Sequence, residues 1–180
     1  MLTLIIEIRR VIEMVKVTFN QDPITLEGEQ LEVNDTAPSF RVVANDMSEK
    51  TEKDFAEKLT LISVVPSIDT GVCSTQTKKF NEKAKELANV NLLTVSMDLP
   101  FAQARWTNEE DVKSMTMLSD YRYRDFGKNY GVLIKELGLL TRSVFIVDSN
   151  NKIQYVEYVS EATNEPDYDA ALEKLKELAE

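Results

Sequence analysis

The sequence predicts an α/β domain, and three observations carry that expectation. Lys58 to Val65 and Val90 to Met97 are strand-length runs rich in Leu, Ile and Val, as expected of strands covered on both faces. Between them, Phe80, Ala84, Leu87 and Ala88 keep a helical period, so strand, helix and strand form one βαβ unit with a right-handed crossover. Near the C-terminus a strand pair flanks a polar turn and an amphipathic helix closes the chain.

Taken in order, Met1 to Glu13 differs in pattern from the rest of the chain. Ile5, Ile8 and Ile12 fall at helical spacing, yet Met14-Val15-Lys16 leads straight into a strand pattern. We expect residues 1–13 to be an extension upstream of the natural start at Met14, and residues 14–180 to form one domain. Val15 to Phe19 and Ile24 to Leu26 read as short strands around the turn Asn20-Gln21-Asp22-Pro23, an N-terminal β-hairpin. A loop at Asn34 to Pro38 precedes a strand at Phe40 to Val43. After the βαβ unit, Pro100 opens a short helix through Phe101 to Arg105. Met115 to Leu118 is a further strand, with a helix near Tyr123 to Tyr130. Ser143 to Val147 and Ile153 to Val159 flank Asp148-Ser149-Asn150-Asn151 as an antiparallel hairpin. Tyr168, Leu172, Leu175 and Ala179 mark the closing helix, with Pro166 near its first turn. This order is that of a thioredoxin-like fold decorated at its N-terminus.

Composition narrows the chemistry. The 180 residues suffice for a full core without disulfides or metals. A formal net charge of −10 repels nucleic acid phosphates and anionic membranes, so neither is an expected partner. With one cysteine and no histidine there is no internal disulfide and no ordinary zinc, copper or haem ligand set, so we expect neither metal nor cofactor. Leu2 to Ile6 is apolar, but Glu7 interrupts it and Arg9-Arg10 occupy the place of a cleavage region, which does not fit a signal peptide. No apolar run spans a bilayer, and a cytoplasmic location is expected.

The single cysteine, Cys73, ends the stretch Pro66-Ser67-Ile68-Asp69-Thr70-Gly71-Val72-Cys73, which runs from a strand into the start of a helix. A helix N-terminus offers unpaired N–H groups and partial positive charge, which favour thiolate over thiol. Thr70, three residues before Cys73, is placed to cap the helix or to touch the sulfur. Pro66 closes the strand and limits water. Spacing alone leaves two readings open, a reactive thiol in a tight pocket and an inert packing cysteine.

The stretch at 66–73 carries P-x-x-x-T-x-x-C and resembles the peroxiredoxin family. The wording SVVPSIDTGVC, with DLPFAQARW at 98–106 and EPDYDAAL at 165–172, is similar to the bacterial thiol peroxidase branch of that family, from about Val15 to the C-terminus. The resemblance implies reduction of organic hydroperoxides and hydrogen peroxide, with Cys73 as peroxidatic cysteine passing through sulfenic acid. It implies that Thr70 hydrogen-bonds thiolate and peroxide, that Pro66 shields the intermediate, and that Arg142 in LTRSVFIVD stabilises charge. It also implies thioredoxin or another thiol as reductant, and a homodimer, for which apolar residues around the helix near Tyr123 to Tyr130 offer a patch. Trp106 and Phe101 are read either as an apolar approach for bulky hydroperoxides or as packing residues.

In one place the chain departs from that pattern. Where the branch carries a resolving cysteine after PFAQ-x-R-[WF], Thr107 follows Trp106. A natural one-cysteine variant and a deliberate replacement both account for it, and either way the sulfenic acid needs an external thiol. A second reading is a peroxide sensor or redox relay that forms mixed disulfides with a partner. A Cys-x-x-Cys oxidoreductase is disfavoured, because Gln76 stands where the second cysteine belongs.

Overall fold

The computed structural model describes residues 14–83 and 87–179. The helical spacing of Ile5, Ile8 and Ile12, and Ala84 of the helix after Cys73, lie outside the described residues.

The chain begins with a hairpin of β1 (Thr18–Phe19) and β2 (Asp22–Pro23), paired Thr18 to Pro23 and Phe19 to Asp22. Its turn is Asn20-Gln21 alone, with φ of 52° and 70°, the doubly left-handed turn that matches strand twist. The expected four-residue turn is therefore too long, and Pro23 belongs to an edge strand, where a missing N–H costs little. Of the expected partner strand at Ile24 to Leu26, only Ile24 continues the hairpin, its N–H donating to the Val17 carbonyl (3.2 Å). Leu26 instead opens β3 (Leu26–Glu27), which pairs far along the chain with Leu133 and Ile134.

β4 (Arg41–Ala44) and β5 (Glu49–Thr51) form an antiparallel pair, followed by a 3₁₀ turn at Glu52–Asp54. Next come β6 (Leu59–Val64), α1 (Gly71–Lys83), β7 (Val90–Ser96), α2 (Pro100–Glu109) and β8 (Thr116–Ser119). The helix expected to reach Ala88 is described only to Lys83, and Leu87 and Ala88 are not helical. α2 runs well past the expected Arg105. The chain ends with α3 (Asp125–Asn129), β9 (Leu133–Ile134), β10 (Ser143–Val147), β11 (Ile153–Tyr158) and α4 (Tyr168–Ala179). β3 pairs with β9. Seven strands make one sheet in the order β11-β10-β6-β7-β8-β4-β5, with β6, β7 and β8 parallel and the outer pairings antiparallel.

The apolar runs are explained by cores on both faces of this sheet. Leu61, Leu92, Met117, Val144 and Ile146 point to the side packed by Phe80, Trp106, Tyr168, Leu172 and Leu175. Their neighbours Ile62, Leu93, Leu118, Phe145 and Val147 point to the side packed by Phe40, Phe126 and Tyr130. Alternation along a strand thus sends successive side chains into different cores, each side chain worth about 1.5–3 kcal/mol when fully buried. Trp106, 6 % exposed, is a packing residue, whereas Phe101 is 68 % exposed. α3 turns Phe126 and Tyr130 inward, stacked with ring centroids 4.3 Å apart, so neither contributes to an exposed apolar patch there.

Buried Asp120, just after β8, fixes the start of α3. Its carboxylate accepts the N–H groups of Phe126 (3.2 Å) and Gly127 (2.8 Å). Burial outweighs those bonds and pushes the Asp120 carboxyl up from 3.8 to about 6. A raised carboxyl favours folding while protonated, so its contribution is present below about pH 4 and is lost as pH rises through about 6. The loss amounts to on the order of 3 kcal/mol. Asp120→Asn is expected to flatten the pH dependence of stability between about pH 4 and 7, read from urea midpoints; an unchanged slope would place that titration elsewhere.

Candidate active site

The site forms where the chain leaves the central strands. Beyond β6 the Val65 N–H still donates to the Val95 carbonyl (3.1 Å), and buried Pro66, which has no N–H, ends the ladder. The following loop is tied to the end of β7. The Asp98 carboxylate accepts from the Ser67 hydroxyl and the Ile68 N–H, both at 2.7 Å, and from the Ser96 hydroxyl at 2.6 Å. Thr70 then leads into α1. Its carbonyl accepts from the Ser74 N–H (3.0 Å) and its hydroxyl oxygen from the Cys73 N–H (3.4 Å). Of the two roles open to Thr70, the contact made is therefore the helix cap.

Cys73 lies in the first turn of α1 and is 0 % exposed. Arg142, immediately before β10 and 2 % exposed, donates from Nη2 to the sulfur at 3.3 Å. Its Nε donates to the Ala162 carbonyl (2.9 Å) and its Nη1 to Gln76 Oε1 (2.6 Å). Gln76 Nε2 in turn donates to the Ser63 hydroxyl on β6 (2.8 Å). Among the described residues, Arg142's hydrogen-bond partners are thus a carbonyl, an amide oxygen and a sulfur, and no carboxylate.

A cavity of ≈ 220 Å³ opens over this cluster. Pro66, Thr70, Val72 and Arg142 line it, together with Phe19 and Ala162; Cys73 itself is not in the lining and reaches the cavity only through its contact with Arg142. A second cavity of ≈ 280 Å³, lined by Phe40, Phe55, Ile62 and Leu93 among others, does not include Arg142. The structure brings Pro66, Thr70 and Arg142 to one cavity and joins Cys73 to Arg142 and Thr70 by hydrogen bonds; Phe101 and Trp106 do not line the cavity. Sequence reasoning missed Gln76, Ser63, Phe19 and Ala162. Only Gln76 left a signal: it is a glutamine one turn after Cys73, on the helix face that also carries Phe80, where a polar group needs a partner.

A buried thiol, a guanidinium without a carboxylate and a tight opening suit nucleophilic sulfur chemistry on a small polar substrate. Among the described residues no three or more His, Cys, Asp or Glu side chains cluster so as to hold a metal ion.

Comparison with known proteins points the same way. The family model described as Redoxin matches residues 32–172. The chain is similar to the thiol peroxidase of Oceanobacillus iheyensis, 56% identical over 162 residues, covering 90% of this chain and 99% of that protein. The thiol peroxidase of Bacillus subtilis is 52% identical over 165 residues, covering 92% of this chain and 99% of its own. A peroxiredoxin-like protein from Aquifex aeolicus of known structure superposes with a TM-score of 0.85 at 43% identity, covering 92% of this chain and 98% of the other.

The buried relay makes an energetic prediction. Gln76→Leu leaves an Arg142 N–H and the Ser63 hydroxyl unpaired and is expected to cost about 3 kcal/mol in urea unfolding. Ser63→Ala removes one neutral acceptor and is expected to cost about 1 kcal/mol. Equal costs would mean that Gln76 does not act through the guanidinium.

Proposed function

The chain belongs to the redoxin family and, within it, to the bacterial thiol peroxidase branch of the peroxiredoxins, and on that premise we propose that it reduces peroxides through Cys73. The observation that carries this reading is the 3.3 Å contact between the only sulfhydryl in the chain and a buried guanidinium that has no carboxylate partner among the described residues. A thiolate there supplies the missing negative charge, helped by the N-terminus of α1.

The thiolate attacks the terminal oxygen of a hydroperoxide R–O–OH. The S–O bond forms as the O–O bond breaks, the leaving RO⁻ takes a proton from solvent to become ROH, and Cys73 becomes a sulfenic acid. The Arg142 fork, fixed by Gln76 and Ala162, stabilises the charge developing on the leaving oxygen. The Thr70 hydroxyl, at the cavity wall, contacts the peroxide, and Pro66 keeps water from the intermediate. Organic hydroperoxides and hydrogen peroxide are both substrates in this reading.

The cycle closes from outside. Thr107, where the family resemblance puts a resolving cysteine, donates its hydroxyl to the Ala104 carbonyl (3.0 Å) on α2. An external thiol R′SH condenses with the sulfenic acid to give a mixed disulfide and water, and a second thiol releases Cys73 with formation of R′S–SR′. Thioredoxin or another cellular thiol fills that role. The same reading takes residues 14–180 as one peroxiredoxin domain in the cytoplasm, working as a homodimer. Exposed Leu99 and Phe101 at the start of α2 offer it an apolar contact. No helix among the described residues is long and apolar enough to cross a membrane.

Intact-mass analysis after one equivalent of cumene hydroperoxide, with a sulfenic-acid trap present, is expected to show one adduct on the wild type and none on Cys73→Ser. Absence of an adduct with Cys73 still free would sink the reading. Thr107→Cys is expected to form an internal disulfide with Cys73 after mild peroxide, detected as a loss of two free thiols. Two thiols that stay free would show that position 107 is not the resolving position.

A further inference from the structure

The larger of the two cavities described above has no part in the thiol chemistry. Its inner lining belongs to the face of the sheet opposite α1. Ile62 of β6 and Leu93 of β7 are register partners, and Val147 of β10 pairs with Thr60 of β6. Phe40 and Tyr130 join them, and all five of these apolar side chains are buried. β6 meets this cavity at Thr60 and Ile62, whereas Pro66 and the site at Arg142 lie past its C-terminal end.

The buried hydroxyls of the lining have already given their protons. Thr60 donates to the Lys58 carbonyl (3.2 Å) and Tyr130 to the Pro38 carbonyl (3.2 Å). The inner part of a ligand therefore meets hydrocarbon and no free hydroxyl donor, and it has to be apolar itself.

The charged residues of the lining differ in how they are used. Glu52 accepts from the Phe40 N–H (3.1 Å), and Asp148 accepts from the N–H groups of Asn150 and Lys152, both at 2.9 Å. Lys53 and Lys58 are exposed, and neither ammonium has a hydrogen-bond or ion-pair partner among the described residues. Two cations and two anions balance, so no long-range field selects a ligand here. Selection falls to direct contact, and only the cations lack a partner.

We propose that this cavity binds an amphiphilic monocarboxylate, with its hydrocarbon chain against Phe40, Ile62 and Leu93 and its carboxylate at Lys53 or Lys58. At ≈ 280 Å³ the space is nearly twice the about 150 Å³ of an apolar cavity that accepts benzene, which suits a chain of about eight carbons. A medium-chain fatty acid is such a molecule. Binding of this kind needs neither the sulfur nor a peroxide, and it stands apart from the peroxidase reading.

The test is an NMR titration of the full chain with hexanoate, octanoate, octanol and octyltrimethylammonium. Octanoate is expected to saturate and to show nuclear Overhauser contacts from its chain to the methyl groups of Ile62 and Leu93. Two further methylenes are expected to make octanoate about tenfold tighter than hexanoate. Octanol is expected to bind about threefold more weakly than octanoate, because an exposed ion pair adds little, and the cation more weakly still. Lys53→Gln/Lys58→Gln, which changes only exposed side chains, is expected to lower octanoate affinity to that of octanol and to leave octanol unchanged. No saturable binding, or contacts confined to residues outside this cavity, overturns the site. Equal affinity for octanoate and the cation, or an octanoate affinity that the double substitution leaves unchanged, overturns the role of the lysines.

Discussion

Burying the Arg142 cation is the constraint on which the rest of the site depends. Removing a guanidinium from water costs several kcal/mol even after relaxation, and the usual remedy is a carboxylate. Here the three hydrogen-bond partners come from three places: the Ala162 carbonyl from the loop before α4, the Gln76 amide from the middle of α1, and the Cys73 sulfur from its first turn. Two of them are neutral acceptors, which satisfy N–H groups without balancing charge. Only the sulfur can carry a negative charge. In the proposed peroxidase the sulfur answers the need to balance a buried charge, and that arrangement requires β6, α1, β10 and the loop before α4 in register at once.

The sheet makes that convergence possible. Parallel β6 and β7 end on the same edge, and in open α/β sheets such C-terminal strand ends are where ligands bind. Asp98, past the end of β7, gathers Ser67, Ile68 and Ser96, which fixes the loop leading to Thr70 and Cys73. β10 pairs with β6 from the other side, so Arg142 starts its strand directly beside the point where β6 ends. Short connections and a central strand leave the sulfur and the guanidinium few alternative positions.

Much of this was legible because the informative elements are local. The runs at Lys58 to Val65 and Val90 to Met97 read as strands because both faces of each are buried. The hairpin around Asp148 to Asn151 read correctly because its turn is polar and its flanks are apolar. Other elements carry no local signal. β5 is Glu-Lys-Thr, an edge strand without an apolar pattern. β3 finds its partner only in β9, far along the chain. At the N-terminal hairpin, Asp22-Pro23 imitates a turn while the true turn uses left-handed Asn20 and Gln21. The site divides in the same way. Cys73, Thr70 and Pro66 share one short stretch, and Arg142 was found only through family resemblance. Gln76 takes its role from partners that tertiary structure brings to it.

A fully buried sulfur also sets two different problems for the two halves of the proposed cycle. In that cycle the peroxide is small and needs only the cavity that Arg142 lines. A reductant that is itself a protein cannot bring its thiol through the same opening, and with Thr107 in place of a cysteine no internal disulfide carries the oxidising equivalent outward. The proposed cycle therefore requires the start of α1 to open. That turn is the weakly held part of the helix: Thr70 and Gly71 are exposed, and the capping contact from Thr70 is long at 3.4 Å. One turn further on, Gln76 and Phe80 are both 0 % exposed, and Phe80 packs edge-on against Tyr168 of α4. Opening therefore has a natural limit between Cys73 and Gln76. It frees the sulfur while leaving the core face of α1 in place.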